Sequence, residues 1–460
     1  MDDRRALLSW AAEQVASYRD SLAERPVQPP LDPDAVRAAL GELPAQPTPP
    51  REVLQQLVDA MTPVVTGTAG PRYFGFVIGG SLDAATGADV LTTGWDQPAY
   101  NAISSPAAAI VEELTGGWLK ELLSIPVSAS FGFVTGAQGG NTVGLAAARH
   151  HVLAKVGWDV ERDGLIGAPP VRVIAGEERH ATVDRSLRLL GFGAAIVEPV
   201  AADANGAIDV ADLDRVLTSG ADGPTIVSLQ SGNVNTGACD DLAQCCEIVH
   251  RAGGWVHVDG AFGLWAAASP STRHLVDGIE LADSWGTDGH KWLNVPYDSG
   301  FVFCAHPDAH AAAMAYTASY LIASSMPAVR APGDYVIESS RRARGFATWA
   351  ALRELGRDGV AELVERCCRL ARRFADVLGA ADRVEIGNDV VLNQVLVRFG
   401  DDDARTDAVV SAAQRDGTCW MGGTTWRGRR YMRLSVSNWS TTEADVDRSA
   451  AAILRLAADL

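Results

Sequence analysis

The chain has 460 residues, 47% of them hydrophobic and 21% charged, with a formal net charge of −18 at pH 7. That length exceeds what one hydrophobic core serves, so two or three domains are expected, in a composition ordinary for a soluble globular protein. The acidic balance argues against nucleic acid or an anionic membrane surface as the main partner, because both demand a basic footprint.

In chain order, "MDDRRALLSWAAEQVASYRDSL" comes first. Its apolar Leu7, Leu8, Ala11, Val15, Tyr18 and Leu22 recur at helical spacing and predict an amphipathic helix rather than a signal peptide. The prolines of residues 24–50 predict an extended arm with one short helix inside. Such an arm cannot fold alone and must lie on the main body or on a partner subunit. From about residue 105, helix-like runs alternate with short β-rich runs: "VRVIA", "AAIVEPV", "TIVSLQ", "GWVHVDG" and "SGFVFCA". This pattern predicts a largely parallel sheet covered on both faces. Past about 345, a long helical run leads into "VVLNQVLVRF", a helix, "YMRLSVSNW" and a last helix, which predicts a smaller α+β domain. No stretch approaches about 18 uninterrupted apolar residues, so no membrane span is predicted. The seven cysteines include no C-x-x-C pair, which reads as reduced thiols in the cytoplasm.

Four features carry chemistry. "FGFVTGAQGGNTVGLAAARHH" runs from an apolar stretch through a glycine-rich turn into a helix, which aims backbone N–H groups at an anion. It matches neither the ATP nor the dinucleotide fingerprint, and it is equally the pattern of an ordinary strand–helix turn. In "GWVHVDGAFG", Asp259 ends a buried β run, where open α/β sheets bind ligands; a turn cap is the alternative. In "EERHATVDRS", His180 opens a helix, as a capping residue would. In "DGHKW", Lys291 stands between His290 and Trp292 in apolar surroundings, where an ammonium is costly unless it is paired or chemically used. Together these supply what pyridoxal 5′-phosphate (PLP) needs: N–H groups for its phosphate, a flat side chain over its ring, a carboxylate for its pyridinium, and a lysine for its aldehyde.

These motifs, with "PRYFGF" and "SPAAAIVEELTGGWL", resemble in order and spacing the group II PLP-dependent amino acid decarboxylases, which include aromatic-L-amino-acid and glutamate decarboxylases. The similarity runs from about residue 70 to the C-terminus. It implies PLP fold type I (aspartate-aminotransferase-like), with a mainly parallel seven-stranded sheet in the large domain and a small α+β C-terminal domain. The implied boundaries are an N-terminal helical arm and dimerisation segment over 1–75, a large PLP-binding domain over 76–340 and a small domain over 341–460. The resemblance makes Lys291 the Schiff-base lysine, Asp259 the partner of the pyridine nitrogen and His180 the group stacked on the ring. Ala137 and Gln138 match the positions that hold the phosphate, His290 the histidine before the lysine, and Ala261 the small residue beneath the ring.

The resemblance also implies a cytoplasmic homodimer with active sites at its interface. Tyr320, in a "YL" context, matches the loop tyrosine that protonates the quinonoid carbon, with Tyr316 a nearby competitor. The implied reaction is decarboxylation of an L-amino acid, aromatic by first choice, to the amine and CO2. The alternatives are an aldehyde-forming decarboxylase–deaminase, or another PLP lyase or aminotransferase. Tyr100, Phe76 and Gly79 fall where the substrate side chain is lined. One departure stands out. Asp288-Gly289 replaces the usual Asn-Pro, and an acid beside a phosphate is unfavourable, so Asp288 is expected either to turn away or to accept a backbone bond. "GGTTWRGRR" leaves Trp426 and Arg427 open between the pocket and the surface.

Overall fold

The β-rich runs between residues 130 and 304 join in one seven-stranded sheet in the computed structural model, which describes residues 2–220, 222–316 and 329–460. Its strands are β1 (Ser130–Val134), β2 (Arg172–Gly176), β3 (Val197–Val200), β4 (Thr225–Gln230), β5 (Trp255–Asp259), β6 (Ser284–Asp288) and β7 (Gly300–Cys304). Their order is β1-β7-β6-β5-β4-β2-β3. The neighbours from β3 to β6 are all parallel. Only β7 runs antiparallel to both its neighbours, β6 and β1. The mainly parallel sheet inferred from the sequence is therefore present. Strands β4 to β7 are buried along their whole length, which is why their apolar residues run on instead of alternating. Strand β6, "SWGTD", was not visible as a strand in the sequence, because it has no apolar run to announce it.

The Ala137–Ala154 helix crosses this sheet at unusually close range. A methyl group on Gly144 would stand 2.7 Å from the His257 ring, and one on Gly140 would stand 2.9 Å from the Phe301 carbonyl oxygen. The glycines of "TGAQGGNTVG" thus serve helix–sheet contact beyond the turn itself.

By its internal contacts the chain forms two units, one of residues 81–369 and 388–394, the other of residues 1–80, 370–387 and 395–460. The second unit contains the expected N-terminal helix (Asp2–Ser21) and the short helix of the proline arm (Pro33–Leu40), which is capped by Asp32. Arg72, fully buried, donates to the carbonyls of Ala23, Arg25 and Thr418 and so ties the arm down. A four-stranded sheet follows: β8 (Val384–Ile386), β9 (Gln394–Phe399), β10 (Gly422–Trp426) and β11 (Arg429–Ser435), in the order β10-β11-β9-β8. Trp426 packs with Leu396 and Tyr431, inside this unit rather than on the surface. The long helical run expected after 345 spans Gly345–Gly379, but Gly356 (φ 62°) breaks it into two helices. Among the described residues no helix is long and apolar enough to cross a membrane, and all seven cysteines are free.

Two ionic features stabilise the seven-stranded unit. Arg341 donates to both oxygens of Glu112 at 2.7 and 2.8 Å, with both side chains out of water. At the amino ends of the strands, Asp283 accepts from Val256 N (2.7 Å) and pairs with His250 (2.9 Å) and His306 (2.7 Å). Burial works to raise the Asp283 carboxyl, but these hydrogen bonds overcome it and hold it at about 2.

Glu112→Gln leaves a buried guanidinium uncompensated and is expected to cost about 3–5 kcal/mol in urea denaturation. A depressed carboxyl stabilises the fold above its ordinary range and ceases to do so as pH falls through its folded value. Asp283→Asn is therefore expected to cost about 2 kcal/mol at pH 7, the difference from wild type shrinking between pH 4 and 2.

Candidate active site

Three chain segments converge at the carboxyl edge of the parallel strands, the edge at which open α/β sheets take ligands. Strand β5 ends there in Asp259, β6 ends in Asp288 and runs on to His290 and Lys291, and the Ala137–Ala154 helix begins there. His180 follows the β2 end nearby and lines a pocket with Asp259, Arg179, Ser228 and Gln230.

Lys291 is paired. Its Nζ lies 3.0 Å from Asp288 Oδ2. The other oxygen of Asp288 accepts from Ala137 N at 2.5 Å and stands 3.3 Å from His290 Nε2. Of the two behaviours expected of Asp288, the structure shows the second, a backbone bond. His290 Nδ1 accepts from Ser299 N at 3.1 Å, so the ring proton sits on Nε2 and faces Asp288. The ring stacks on Tyr297 at 4.1 Å. Burial lowers the His290 pKa, with Asp288 opposing.

Asp259 is buried and accepts from Ala261 N at 3.3 Å. Burial raises its pKa, while His180, Lys291 and a hydrogen bond from Asn141 pull the other way. A buried carboxyl in this balance suits a cationic partner, such as a protonated ring nitrogen.

Behind Asp259 runs a chain of hydrogen bonds whose direction is set at its Asn141 end, where the amide nitrogen faces the Asp259 carboxylate and the amide oxygen faces His257. Trp255 Nε1 can only donate, and it donates to Ser284 Oγ at 3.0 Å. The Ser284 hydroxyl in turn donates to His257 Nδ1 at 2.9 Å. His257 is fully buried, and burial lowers its pKa to about 3, so it is neutral and carries its proton on Nε2. That proton goes to Asn141 Oδ1 at 3.1 Å. The Asn141 amide nitrogen donates towards Asp259 and Thr182 Oγ1 (3.4 Å). Thr182 Oγ1 passes its own hydrogen to His180 Nδ1 at 2.8 Å. Two candidate residues, Asp259 and His180, are thus oriented by one amide. His180 Nδ1 also accepts from Thr182 N at 3.3 Å. The capping role left open by the sequence is therefore real, and it uses one ring nitrogen only.

The remaining candidates divide. Gln138 Nε2 reaches Ser186 Oγ at 3.4 Å, and the Ala261 carbonyl accepts from Asp288 N at 3.0 Å, so both border the cluster. Tyr100 is half-buried, its carbonyl accepting from Gly333 N, and it takes no part in the hydrogen bonds of the cluster described above. Phe76 and Gly79 belong to the other unit, where Phe76 is exposed, has φ 54° and lies 5.4 Å from the Trp420 ring. Tyr320 lies outside the described residues. Tyr316 is exposed, with its hydroxyl on Ser339.

Asn141, Thr182, His257 and Ser284 escaped the sequence reading. A signal existed for His257: it stands two residues before Asp259 on one strand, and so on the same face of the sheet.

Residues 33–399 match the family model described as "Pyridoxal-dependent decarboxylase conserved domain". The chain is 27% identical to tryptophan decarboxylase 1 of Oryza sativa subsp. japonica, covering 95% of this chain and 90% of that protein. It is 28% identical to an aromatic-L-amino-acid decarboxylase of Bacillus atrophaeus, covering 96% of this chain and 93% of that protein. The solved structure of Oryza sativa TDC with PLP and tryptamine superposes with a TM-score of 0.92 at 24% identity, over 100% of this chain and 98% of that one.

Asn141→Leu preserves bulk but strips partners from the buried His257 and Asp259. It is expected to cost about 1–3 kcal/mol in urea denaturation, and His257→Phe in the same background should cost less than the sum of the two single changes.

Proposed function

The chain belongs to the pyridoxal-dependent decarboxylase family, as a PLP-dependent carboxy-lyase acting on an amino acid, and from that premise we propose that its substrate is an aromatic L-amino acid, converted to the amine and CO2. Relatives named for tryptophan and aromatic amino acids, each matched over most of its length, support the substrate class. One observation carries the proposed site. Asp259, His180 and Lys291, separated by up to 111 residues of chain, gather at one strand edge with the start of a helix.

PLP, when bound, supplies the electron sink for the pair left behind as CO2 departs. The residues present suit it. The Ala137 and Gln138 end of the helix offers N–H groups to the phosphate, aided by the helix dipole. His290 presents Nε2–H beside it. Ala261 and His180 would bound the cofactor ring, the small side chain of Ala261 leaving it room. Asp259 holds the pyridine nitrogen protonated, and the Asn141 amide keeps Asp259 aligned for it. Lys291 would hold the cofactor covalently through its side-chain amine. Tyr320 returns a proton to the substrate Cα, and the choice of tyrosine there favours amine over aldehyde as product. Tyr100, Phe76 and Gly79 are proposed as contacts of the substrate side chain on the resemblance alone.

We further propose a cytoplasmic homodimer in which residues 1–75 take part in assembly. Exposed Val90, Leu91, Trp95, Ile110 and Leu114 on the helices Asp83–Trp95 and Pro106–Leu122 support an apolar face covered by a second copy. Seven free thiols support a reducing compartment.

The decisive experiment supplies PLP and a panel of L-amino acids, then follows CO2 and identifies products by mass. CO2 with the matching amine from tryptophan, tyrosine or phenylalanine is the expected result; release from acidic amino acids alone would overturn the substrate class. Borohydride reduction followed by intact mass should place one cofactor on wild type and none on Lys291→Ala. Tyr320→Phe should shift the product from amine towards aldehyde, with ammonia in the mixture.

A further inference from the structure

At the phosphate end of the proposed site the chain supplies an anion of its own. The Ala137–Ala154 helix has no side-chain cap from Gly136, its N-cap residue. Its first N–H, on Ala137, is taken at 2.5 Å by Asp288 Oδ1, delivered from the end of β6. An anion is favoured there by the helix dipole and the unsatisfied N–H groups. The same carboxylate holds Lys291 through Oδ2 at 3.0 Å. One side chain thus occupies both a donor assigned to the phosphate and the amine assigned to the aldehyde.

The surroundings leave the carboxylate little freedom. It is 3% exposed, and a methyl group on Gly136 would come within 3.1 Å of Oδ1 and 3.0 Å of the His290 ring. The charges facing it are Lys291 and His290, and burial lowers the His290 pKa, which keeps that ring neutral at pH 7. A phosphate arriving at Ala137 N therefore meets a carboxylate with one cation to offset two anions. An asparagine in this place would accept the same N–H through its oxygen and offer an amide N–H to the phosphate, with no charge.

We propose that Asp288 competes from within the chain for the phosphate site at the start of the Ala137–Ala154 helix, so that this protein draws little of its cofactor affinity from the phosphate group. Cofactor binding exchanges partners: Ala137 N–H passes from Asp288 to the phosphate, and Asp288 loses Lys291. The proposal rests on the reading that Ala137 and Gln138 receive the phosphate.

The test strips PLP from the full-length protein and titrates it with PLP and, separately, with phosphate-free pyridoxal, following tryptophan fluorescence. Asp288→Asn is expected to tighten PLP binding about tenfold or more while changing pyridoxal binding by less than about threefold. Unchanged or weaker PLP binding overturns the proposal. So does equal tightening of both ligands, which would mean that Asp288 acts through Lys291 and not on the phosphate. Wild type and variant that bind pyridoxal and PLP alike, with no phosphate preference in either, would overturn the phosphate-site reading itself, and this proposal with it. Asp288→Ser, smaller and also neutral, is expected to change PLP binding in the same direction and serves if the asparagine variant does not fold.

Discussion

The close approach of the Ala137–Ala154 helix to the seven-stranded sheet is the constraint on which the site depends. Glycine at 140 and 144 lets the helix backbone sit where a methyl group would collide with the Phe301 carbonyl and the His257 ring. That approach brings Asn141 within reach of both His257 and Asp259, and it brings Ala137 N–H to the end of β6. A helix held farther out by ordinary side chains would lose all of these contacts together. The cost of burying so many polar groups is offset because each donor in the chain from Trp255 to Asp259 meets an acceptor.

Two buried carboxylates face one lysine. Asp259 and Asp288 lie on adjacent strands, both near Lys291, and burial opposes the ionised form of Asp259. Their surroundings separate their tasks. Asp259 receives hydrogen bonds from neutral donors, Ala261 N and Asn141, while His180 and Lys291 act on it through charge. Asp288 has its positive partner already and sits on a helix terminus that favours an anion.

The two ends of the sheet divide their roles accordingly. At the amino ends of the strands, Asp283 binds two histidines and a backbone N–H and is fully satisfied within the chain. At the carboxyl ends, Asp259, Asp288 and Lys291 gather with the start of the Ala137–Ala154 helix. Parallel strands produce this asymmetry, because every β-to-helix turn lies on the same edge.

Much of this was legible in the sequence, for definite reasons. Strands such as "TIVSLQ" and "GWVHVDG" are buried on both faces, so their apolar runs report them directly, and their helical partners follow by alternation. Lys291, Asp259 and His180 could be named because, in order with the glycine-rich turn, they supply the groups that PLP needs and match the motifs of a known family. Strand β6 was not legible, since "SWGTD" carries no period of its own and becomes a strand only between β5 and β7. Asn141, Thr182 and Ser284 were not legible either, because a buried polar residue looks like a turn residue until its partner, distant in the chain, is known. The sequence left Asp288 with two choices, and the tertiary structure made the selection by placing a helix terminus and a lysine beside it. Residue chemistry and local periodicity are encoded in short windows, and the sequence alone determined what rests on them: the alternating architecture and the candidate lysine, aspartate and histidine. Hydrogen-bond partners, tautomers and the pairing of charges depend on distances between segments that only the folded chain sets, so the tertiary structure decided those.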